Sequence, residues 1–289
     1  MSVTHHPSYD DFAEYAQQAR LVPVFRQLTS DSLTPVTAWQ RLSEGDWSFL
    51  FESVVGGEKI GRYSFVSSGP FLTMSAWGNK VQVRYKDGSS SEWESEDPLA
   101  DLDKLLAEYP CVHVAGLPRF CGGAVGFAGY DVVRYTEQLP NTPDDDRGLP
   151  DLCFSLYDTM VVFDHISKVV LAVALADTQA KTTRAARDDA EQRLENLCIR
   201  LANDRSGVPL NDIDLTVEPD VEIKSNFSQS DFETAVESCQ EYIRAGDIFQ
   251  VVIGQRLTRQ SEAAPIDVYR ALRMAVSYTH LTLPTNREV

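Results

Sequence analysis

Two adjacent polar side chains, Glu52 and Ser53, follow a short apolar segment near the start of the chain. A carboxylate accepts hydrogen bonds from an ammonium group, and a serine hydroxyl donates or accepts a short hydrogen bond. Neighbouring residues of a strand point to opposite faces, so both can reach one ligand only at a strand end or a bulge. The glycine pair at 56–57 favours a strand end. The alternative for Glu52 is a structural ion pair with Arg62 or Lys59.

A third polar residue, Gln250, lies in the segment AGDIFQVVIGQRL (245–257), which predicts a glycine turn followed by a strand at 248–257. Period-two alternation puts Gln250 and Arg256 on one face, beside Gly254, which permits close approach. The opposite face is apolar and suited to a core; it consists of Phe249, Val251, Ile253 and Leu257. The alternative is an edge strand with Gln250 and Arg256 facing solvent.

The glycine-rich stretch FCGGAVGFAGYD (120–131) has the composition of a phosphate-binding loop but not its spacing. Its glycines fit neither GxGxxG nor the P-loop pattern, and no GK[ST] sequence follows. We therefore predict that these glycines serve close packing of the backbone.

Composition limits the classes of partner. The chain has 289 residues, of which 43% are hydrophobic, enough for one large or two smaller domains. The formal net charge of −17 argues against nucleic acid or an anionic membrane as the main partner, because both would be repelled. A small anionic substrate is compatible with this charge only if its site supplies local cations.

Cysteine usage and the amino terminus indicate the compartment. The five cysteines show no CxxC pair and no Cys/His ligand spacing, which predicts buried free thiols and no zinc site. The amino terminus is polar and acidic, without the apolar segment of a signal peptide. No run approaches the roughly 18 apolar residues of a membrane span. The sequence therefore predicts a cytoplasmic protein without membrane segments.

The elements that must position these residues alternate between short strands and helices. Four strands are predicted between residues 47 and 86, joined by turns at Gly78-Asn79 and Asp87-Gly88. Residues 153–165 and 168–176 are predicted as the two strands of one hairpin. This pattern indicates an α+β fold with mainly antiparallel sheets and flanking helices.

Capping signals mark the predicted helices. Thr34-Pro35 and Asp97-Pro98 each predict a helix start, and residues 180–203 form a charged amphipathic helix. A further helix is predicted from a capping box at Ser230 and Glu233 to a left-handed residue at Gly246.

Residues 203–226 lack periodicity and contain proline and glycine, which indicates a boundary. We predict one domain over residues 1–210, a linker over 211–226 and the start of a second domain over 227–274. Residues 275–289 follow this second domain.

Four stretches, in this order along the chain, resemble anthranilate synthase component I, the chorismate-utilising subunit that opens tryptophan biosynthesis. They are FLFESVVGGEKIGRYSFVSSGP (49–70), GGAVGFAGYDVVRYTEQLP (122–140), DFETAVESCQEYIRAGDIFQVV (231–252) and GQRL (254–257). The resemblance extends from about residue 10 to about residue 274. Aminodeoxychorismate synthase component I shares the last motif but is a poorer match to the first.

The resemblance implies that residues 1–210 are a regulatory domain and that residues 227–274 begin a chorismate-binding catalytic domain, which is incomplete here. That domain binds chorismate with Mg²⁺, adds ammonia from a glutamine amidotransferase subunit and eliminates pyruvate to give anthranilate. Tryptophan inhibits by binding at a Leu-Leu-Glu-Ser motif, which stands here as Leu50-Phe51-Glu52-Ser53. Glu52 and Ser53 are therefore expected to bind the inhibitor, and Phe51 is an apolar departure from the family leucine.

The resemblance also gives Gln250 a role. In relatives that add water to chorismate, a lysine that resembles a general base occupies this position, whereas ammonia-using relatives commonly carry glutamine. A neutral amide cannot deprotonate water at pH 7, but it can orient a nucleophile that already has a lone pair. Gln250 is therefore expected to line the active site, and it argues against isochorismate or salicylate synthase.

The family's Mg²⁺-binding glutamates and remaining catalytic groups come from sequence that this chain does not match, so no metal ligand is assigned. Residues 275–289, AVSYTHLTLPTNREV, replace an Asn-Pro-Ser-Pro-Tyr-Met segment that completes the family's tryptophan pocket. We expect them to be a non-native tail and the chain itself to be inactive; the alternative is a divergent natural end. The other functions to weigh are aminodeoxychorismate synthase component I and a non-catalytic amino-acid-binding module.

Overall fold

The computed structural model describes residues 3–29, 31–45, 47–53, 61–203 and 221–275. They fall into two compact units, divided between Pro209 and Leu210. The regulatory and catalytic roles assigned to the two parts stay predictions. Residues 204–220 and 276–289, which include most of the predicted linker and tail, lie outside the described residues.

Two antiparallel five-stranded sheets form the framework of the first unit. One, called sheet A, consists of β1 (Leu21–Leu28), β2 (Ser48–Phe51), β3 (Tyr63–Ser68), β9 (Thr159–Asp164) and β10 (Val169–Asp177). Its strand order is β1-β10-β9-β3-β2. The other, sheet B, consists of β4 (Leu72–Trp77), β5 (Lys80–Tyr85), β6 (Ser90–Glu94), β7 (Gly123–Ala128) and β8 (Leu152–Tyr157). Its order is β6-β5-β4-β8-β7, so β2 and β7 are edge strands.

The helices of the first unit flank these sheets, which confirms the predicted α+β class. They are α1 (Tyr9–Tyr15), α2 (Pro35–Leu42), α3 (Pro98–Ala107), a 3₁₀ helix (Tyr130–Tyr135) and α4 (Thr183–Ala202). The side chains of Thr34 and Asp97 accept hydrogen bonds from the first turns of α2 and α3, as their sequences predict. The polar segment that forms α1 was not predicted to be helical.

The predicted hairpin over residues 153–176 is wrong in one respect. The structure divides its first arm at Asp158, so that β8 belongs to sheet B and β9 to sheet A. Only β9 and β10 pair as a hairpin, in a register that starts at Asp164 and Val169. The physical reason is that both halves are apolar enough to be buried, and their sequence does not reveal that they pair in different sheets.

Apolar packing joins these layers in three clusters. Alternate side chains of sheet A pack against α1, α2 and α4, with Phe12 and Leu194 fully buried. The opposite face of sheet A packs against residues 112–121 and against Tyr157 of β8. Sheet B buries Leu72 and neighbouring residues against α3. Both faces of sheet A are therefore buried, which makes it the central layer of the first unit.

The second unit has fewer regular elements, which are β11 (Lys224–Ser225), α5 (Gln229–Ala245), β12 (Leu257–Thr258) and α6 (Pro265–Ala275). The capping box predicted at Ser230 and Glu233 is wrong, because Ser228 caps α5 and accepts a hydrogen bond from the Asp231 N–H. The helix ends at Gly246, whose φ of 82° is the left-handed conformation predicted there.

The predicted strand at 248–257 is also wrong. Only its last residue, Leu257, enters a strand, and β12 pairs with the two residues of β11. A strand forms when its backbone groups and its apolar face find partners, and β11 is the one pairing that the described residues offer it. Among the described residues, the apolar face of this segment lacks a core, as expected for a domain that is incomplete here, and Phe249 is 93% exposed.

Cysteine burial follows the prediction only in part. Cys121 and Cys153 are buried free thiols, whereas Cys111 is exposed, and all five cysteines are unpaired. Across the described ranges, no three His, Cys, Asp or Glu side chains come together as a metal site. No helix in the same ranges has both the length and the apolar character needed to cross a membrane.

Candidate functional site

An open cavity of about 410 Å³ lies in the first unit, where β2 and β3 meet β7 and β8. Its volume falls within the roughly 300–1,000 Å³ of small-molecule sites. Both predicted ligand residues, Glu52 and Ser53, line it. The complete lining is Phe51, Glu52, Ser53, Tyr63, Phe65, Phe120, Ala124, Val125, Gly126 and Phe154.

The end of β2 explains how adjacent residues reach one cavity. Main-chain pairing between β2 and β3 stops at Phe51, opposite Phe65. Beyond it, the backbone N–H of Ser53 donates to the Oγ of Ser64 at 3.1 Å instead of to a main-chain carbonyl. Because the ladder has ended, strand alternation no longer separates Glu52 from Ser53. The strand end that the sequence required for a shared ligand is present.

Aromatic rings form the apolar wall of the cavity. The rings of Phe65 and Phe120 meet edge to face, with centroids 5.3 Å apart at 75°. Tyr63 is tilted against Phe65 at 6.1 Å, and Phe154 adds a ring from β8. Such rings favour offset or edge-to-face contact with a flat aromatic ligand. The wall therefore suits a ligand with a planar ring.

The glycine-rich stretch supplies the side of the cavity formed by β7. A Cβ atom at Gly126 would lie 1.9 Å from the carbonyl oxygen of Cys153, and one at Gly122 would lie 2.4 Å from Cδ1 of Leu175. A side chain has no room at Gly126, where the obstacle is backbone, whereas at Gly122 the Leu175 side chain would have to move. The prediction of close backbone packing is confirmed at Gly126, whereas Gly122 packs against the Leu175 side chain and Gly123 has a φ of 117° with open space around it.

The charge of the cavity comes from Glu52, which is half-buried and is the one ionisable carboxylate among the described lining residues. Arg62, one of the two partners considered for Glu52, forms an ion pair with Asp164 at 2.6 Å. The other, Lys59, lies outside the described residues. The Glu52 carboxylate, beside aromatic rings, is a group that could accept hydrogen bonds from a cationic group on a ligand.

The Arg62–Asp164 pair fixes the turn between β9 and β10 behind the cavity. Burial by itself would raise the pKa of Asp164, but the Arg62 side chain and hydrogen bonds from Ser167 and Ile166 lower this pKa to about 2. The backbone N–H groups of Ile166 and Ser167 donate to Asp164 Oδ1 at 3.0 and 3.1 Å. The carboxylate is therefore held ionised at the start of the turn.

Gln250 belongs to the second unit. It is exposed and lies in a segment without regular secondary structure. A cavity of about 660 Å³ in that unit is lined not by Gln250 but by Val221, Glu222, Lys224, Thr258, Arg259 and Gln260. Its expected place in an active site stays a prediction.

Two aromatic side chains that line the first cavity, Phe120 and Phe154, were not predicted from the sequence to be part of the site. Phe120 and Phe154 lie far from Glu52 along the chain and enter through residues 112–121 and β8. Phe120 is the first residue of the glycine-rich stretch at 120–131, and this position was the one local signal that pointed to it. Phe154 had no local signal, because its strand was predicted as part of another hairpin.

Comparison with known proteins gives the class to which this fold and cavity belong. Residues 49–281 match the sequence model of the chorismate binding enzymes, and the chain belongs to that family. The match includes the first residues of the segment predicted to be a non-native tail, so the origin of residues 275–289 stays a prediction.

Among curated proteins, several similar ones are anthranilate synthase subunits. Anthranilate synthase component 1 of Acetivibrio thermocellus is 34% identical over 272 residues, which cover 93% of this chain and 54% of that protein. Anthranilate synthase alpha subunit 2, chloroplastic, of Arabidopsis thaliana is 38% identical over 285 residues, covering 92% of this chain and 46% of that protein. The chain spans about half the length of these relatives.

A solved structure has the same fold. The crystal structure of anthranilate synthase component I from Streptococcus pneumoniae TIGR4 superposes with a TM-score of 0.58 at 28% sequence identity. The match covers 86% of this chain and 52% of that one. Fold and sequence therefore point to the same relatives.

Proposed function

We propose that this chain is part of an anthranilate synthase component I and that its cavity beside Glu52 and Ser53 binds L-tryptophan as a feedback inhibitor. The observation that carries the proposal is the convergence of both residues on one cavity with aromatic walls. The similarity to anthranilate synthases along most of the chain supports the same reading.

The chemistry of the cavity matches most of an aromatic amino acid. The Glu52 carboxylate would accept hydrogen bonds from the ligand ammonium, and the Ser53 hydroxyl would add a hydrogen bond. The indole would contact the rings of Phe65, Phe120 and Phe154. None of the described lining residues is basic, so a partner for the ligand carboxylate is not among them.

For the whole protein we propose the family reaction. Ammonia, delivered by a glutamine amidotransferase subunit, adds to chorismate, and loss of pyruvate gives anthranilate in the cytoplasm. Gln250 would orient the ammonia nucleophile, which already carries a lone pair. Mg²⁺ would act as a Lewis acid on the substrate's oxygens. The described residues bring no three His, Cys, Asp or Glu side chains together, and none of them is named as a ligand of this ion.

Calorimetry with three ligands tests the inhibitor site in the chain as it stands. We expect L-tryptophan to bind with one-to-one stoichiometry, because the cavity has one carboxylate and one aromatic wall. Indole-3-propionate lacks the ammonium and should bind at least tenfold more weakly, since it loses its interaction with Glu52. L-Lysine keeps the ammonium but lacks a ring, and it should also bind weakly. Equal binding of L-tryptophan and indole-3-propionate would contradict the role of the carboxylate, and no binding of L-tryptophan would contradict the proposal.

A further inference from the structure

We infer that Ser64 and His165 are positioning residues, which hold Ser53 at the edge of the cavity and thereby set the affinity for the ligand. The inference rests on the proposed function, because it concerns how the same cavity is shaped. Neither residue lines the cavity, and Ser64 reaches the lining residue Ser53 through a hydrogen bond from the Ser53 N–H.

Ser64 stands at the centre of a short hydrogen-bonded chain. Its side chain is buried in β3, with 1% of the residue exposed. Its Oγ accepts from the backbone N–H of Ser53 at 3.1 Å and lies 2.7 Å from Nε2 of His165. A hydroxyl has one proton to donate. All groups are satisfied when Ser53 N–H donates to Ser64 Oγ and the Ser64 hydroxyl donates to an unprotonated Nε2.

This chain replaces main-chain pairing at the point where the sheet stops. The ladder between β2 and β3 ends at Phe51, and Ser53 is the next residue whose N–H is held by β3. Without the Ser64 hydroxyl, the backbone at Ser53 would lose this anchor to the sheet. The side chains of Glu52 and Ser53 would then sample orientations that do not face the cavity.

His165 is itself fixed from two sides. Its backbone N–H donates to the carbonyl of Arg62 at 2.9 Å. Its ring stacks on Phe163, with centroids 6.5 Å apart and planes 17° apart. The adjacent Asp164 holds the turn through Arg62. A histidine anchored in this way can present Nε2 to Ser64 in a constant orientation.

The same strand offers a matched control for a purely structural role. Ser67 also lies in β3, is 2% exposed, and donates its hydroxyl to the carbonyl of Thr159 at 2.5 Å. It does not contact Ser53 and does not line the cavity. Removing its hydroxyl therefore disturbs the core of β3 in the same way as removing that of Ser64, but away from the site.

Titration calorimetry with L-tryptophan, together with thermal unfolding, tests the inference on the chain and its variants. We expect Ser64→Ala to weaken binding about tenfold, because one anchoring hydrogen bond is lost. His165→Phe keeps the stacked ring but not the nitrogen, and should weaken binding about fivefold. His165→Gln places an amide near Nε2 and should stay within about twofold of the wild type. Ser67→Ala should lower the melting temperature as Ser64→Ala does, with binding within about twofold of the wild type.

The outcomes separate this inference from the proposed function. Failure of the unchanged chain to bind L-tryptophan would overturn both. Normal wild-type binding together with unchanged binding by Ser64→Ala, or with equal weakening by Ser67→Ala, would overturn the inference alone. If Ser64→Ala does not fold, the pair His165→Phe and His165→Gln decides, and equal affinities of these two variants would contradict the inference.

Discussion

At the scale of single residues, Glu52 and Ser53 show how a local rule and a tertiary contact combine. Strand alternation predicts that two neighbours share a ligand only at a strand end, and the ladder of β2 does end at Phe51. The hydrogen bonds that hold Ser53 at this strand end involve Ser64 and His165. They form only because β9 lies beside β3 in the sheet. Local sequence patterns do not reveal which strands are neighbours in a sheet, so the hydrogen bond between Ser64 and His165 could not be predicted.

The Glu52 carboxylate, which lines the cavity, gives a direct prediction. Glu52→Gln keeps the size of the side chain but removes its charge, so we expect L-tryptophan affinity to fall at least tenfold through loss of a charge-assisted hydrogen bond. Titration calorimetry measures the change. Glu94→Gln, at an exposed position of β6, is the control and should bind as the wild type does. Unchanged affinity in Glu52→Gln would remove this residue from the site.

The Asp164 carboxylate gives a pH-dependent prediction. Its folded-state pKa of about 2 lies below its ordinary value of 3.8, so its stabilising contribution is present above about pH 4 and is lost as the pH falls towards 2. We expect Asp164→Asn to lower the free energy of unfolding by about 2 kcal/mol at pH 7, the usual value for hydrogen bonds to a charged group.

Urea unfolding at several pH values checks this expectation. The difference between wild type and Asp164→Asn should shrink between pH 4 and pH 2, whereas Asp103→Asn, at an exposed position of α3, should match the wild type throughout. A difference that stays constant over this range would show that Asp164 acts through packing and not through its charge.

At the scale of elements, the predictable parts are those with local causes. Thr34 and Asp97 cap α2 and α3 because a side-chain oxygen near the first turn is sufficient. Two serines compete at the start of α5, each followed three residues later by an acid, and the structure uses Ser228 with Asp231. Composition alone does not rank such neighbours. The division of residues 153–165 at Asp158 is equally invisible, since it depends on sheet assignment.

The close approach of β7 to β8 leads to a prediction for Gly126. A methyl group there would overlap the Cys153 carbonyl, and because this is backbone, the two strands must separate. We expect Gly126→Ala to destabilise the first unit by about 3 kcal/mol, in the range of overpacked cores. Gly129→Ala is the matched control, since its nearest atom, the Asp151 carbonyl oxygen, is 3.4 Å away. Equal melting temperatures of the two variants would contradict the account of this strand pair.

At the scale of the whole molecule, the two units differ in how completely they bury apolar residues. The first unit has three apolar clusters, whereas Phe249 and Leu257 of the second unit are 93% and 59% exposed. The prediction of a strand at 248–257 failed for this reason: the segment is apolar on one face, but the described residues form no core around it. Exposed apolar surface of this kind favours self-association.

The length of the chain relative to its relatives leads to a prediction about activity. We expect the chain alone to form no anthranilate from chorismate, Mg²⁺ and ammonium, because it spans only about half the length of the anthranilate synthases that it matches. Anthranilate fluorescence in a purified preparation measures this directly, with a whole-length relative such as the Acetivibrio thermocellus protein as the positive control. Detectable product from the chain alone would contradict this expectation.

The central claim is that the Glu52–Ser53 cavity senses tryptophan for an anthranilate synthase, and inhibition of the whole protein tests it most directly. Steady-state anthranilate formation from chorismate and ammonium should be measured with and without L-tryptophan, for the wild type and for Ser53→Ala. We predict that L-tryptophan inhibits the wild type, and that Ser53→Ala raises the inhibitory concentration at least tenfold while leaving uninhibited turnover within about twofold. Equal inhibition of both proteins, or formation of a product other than anthranilate, would contradict the claim.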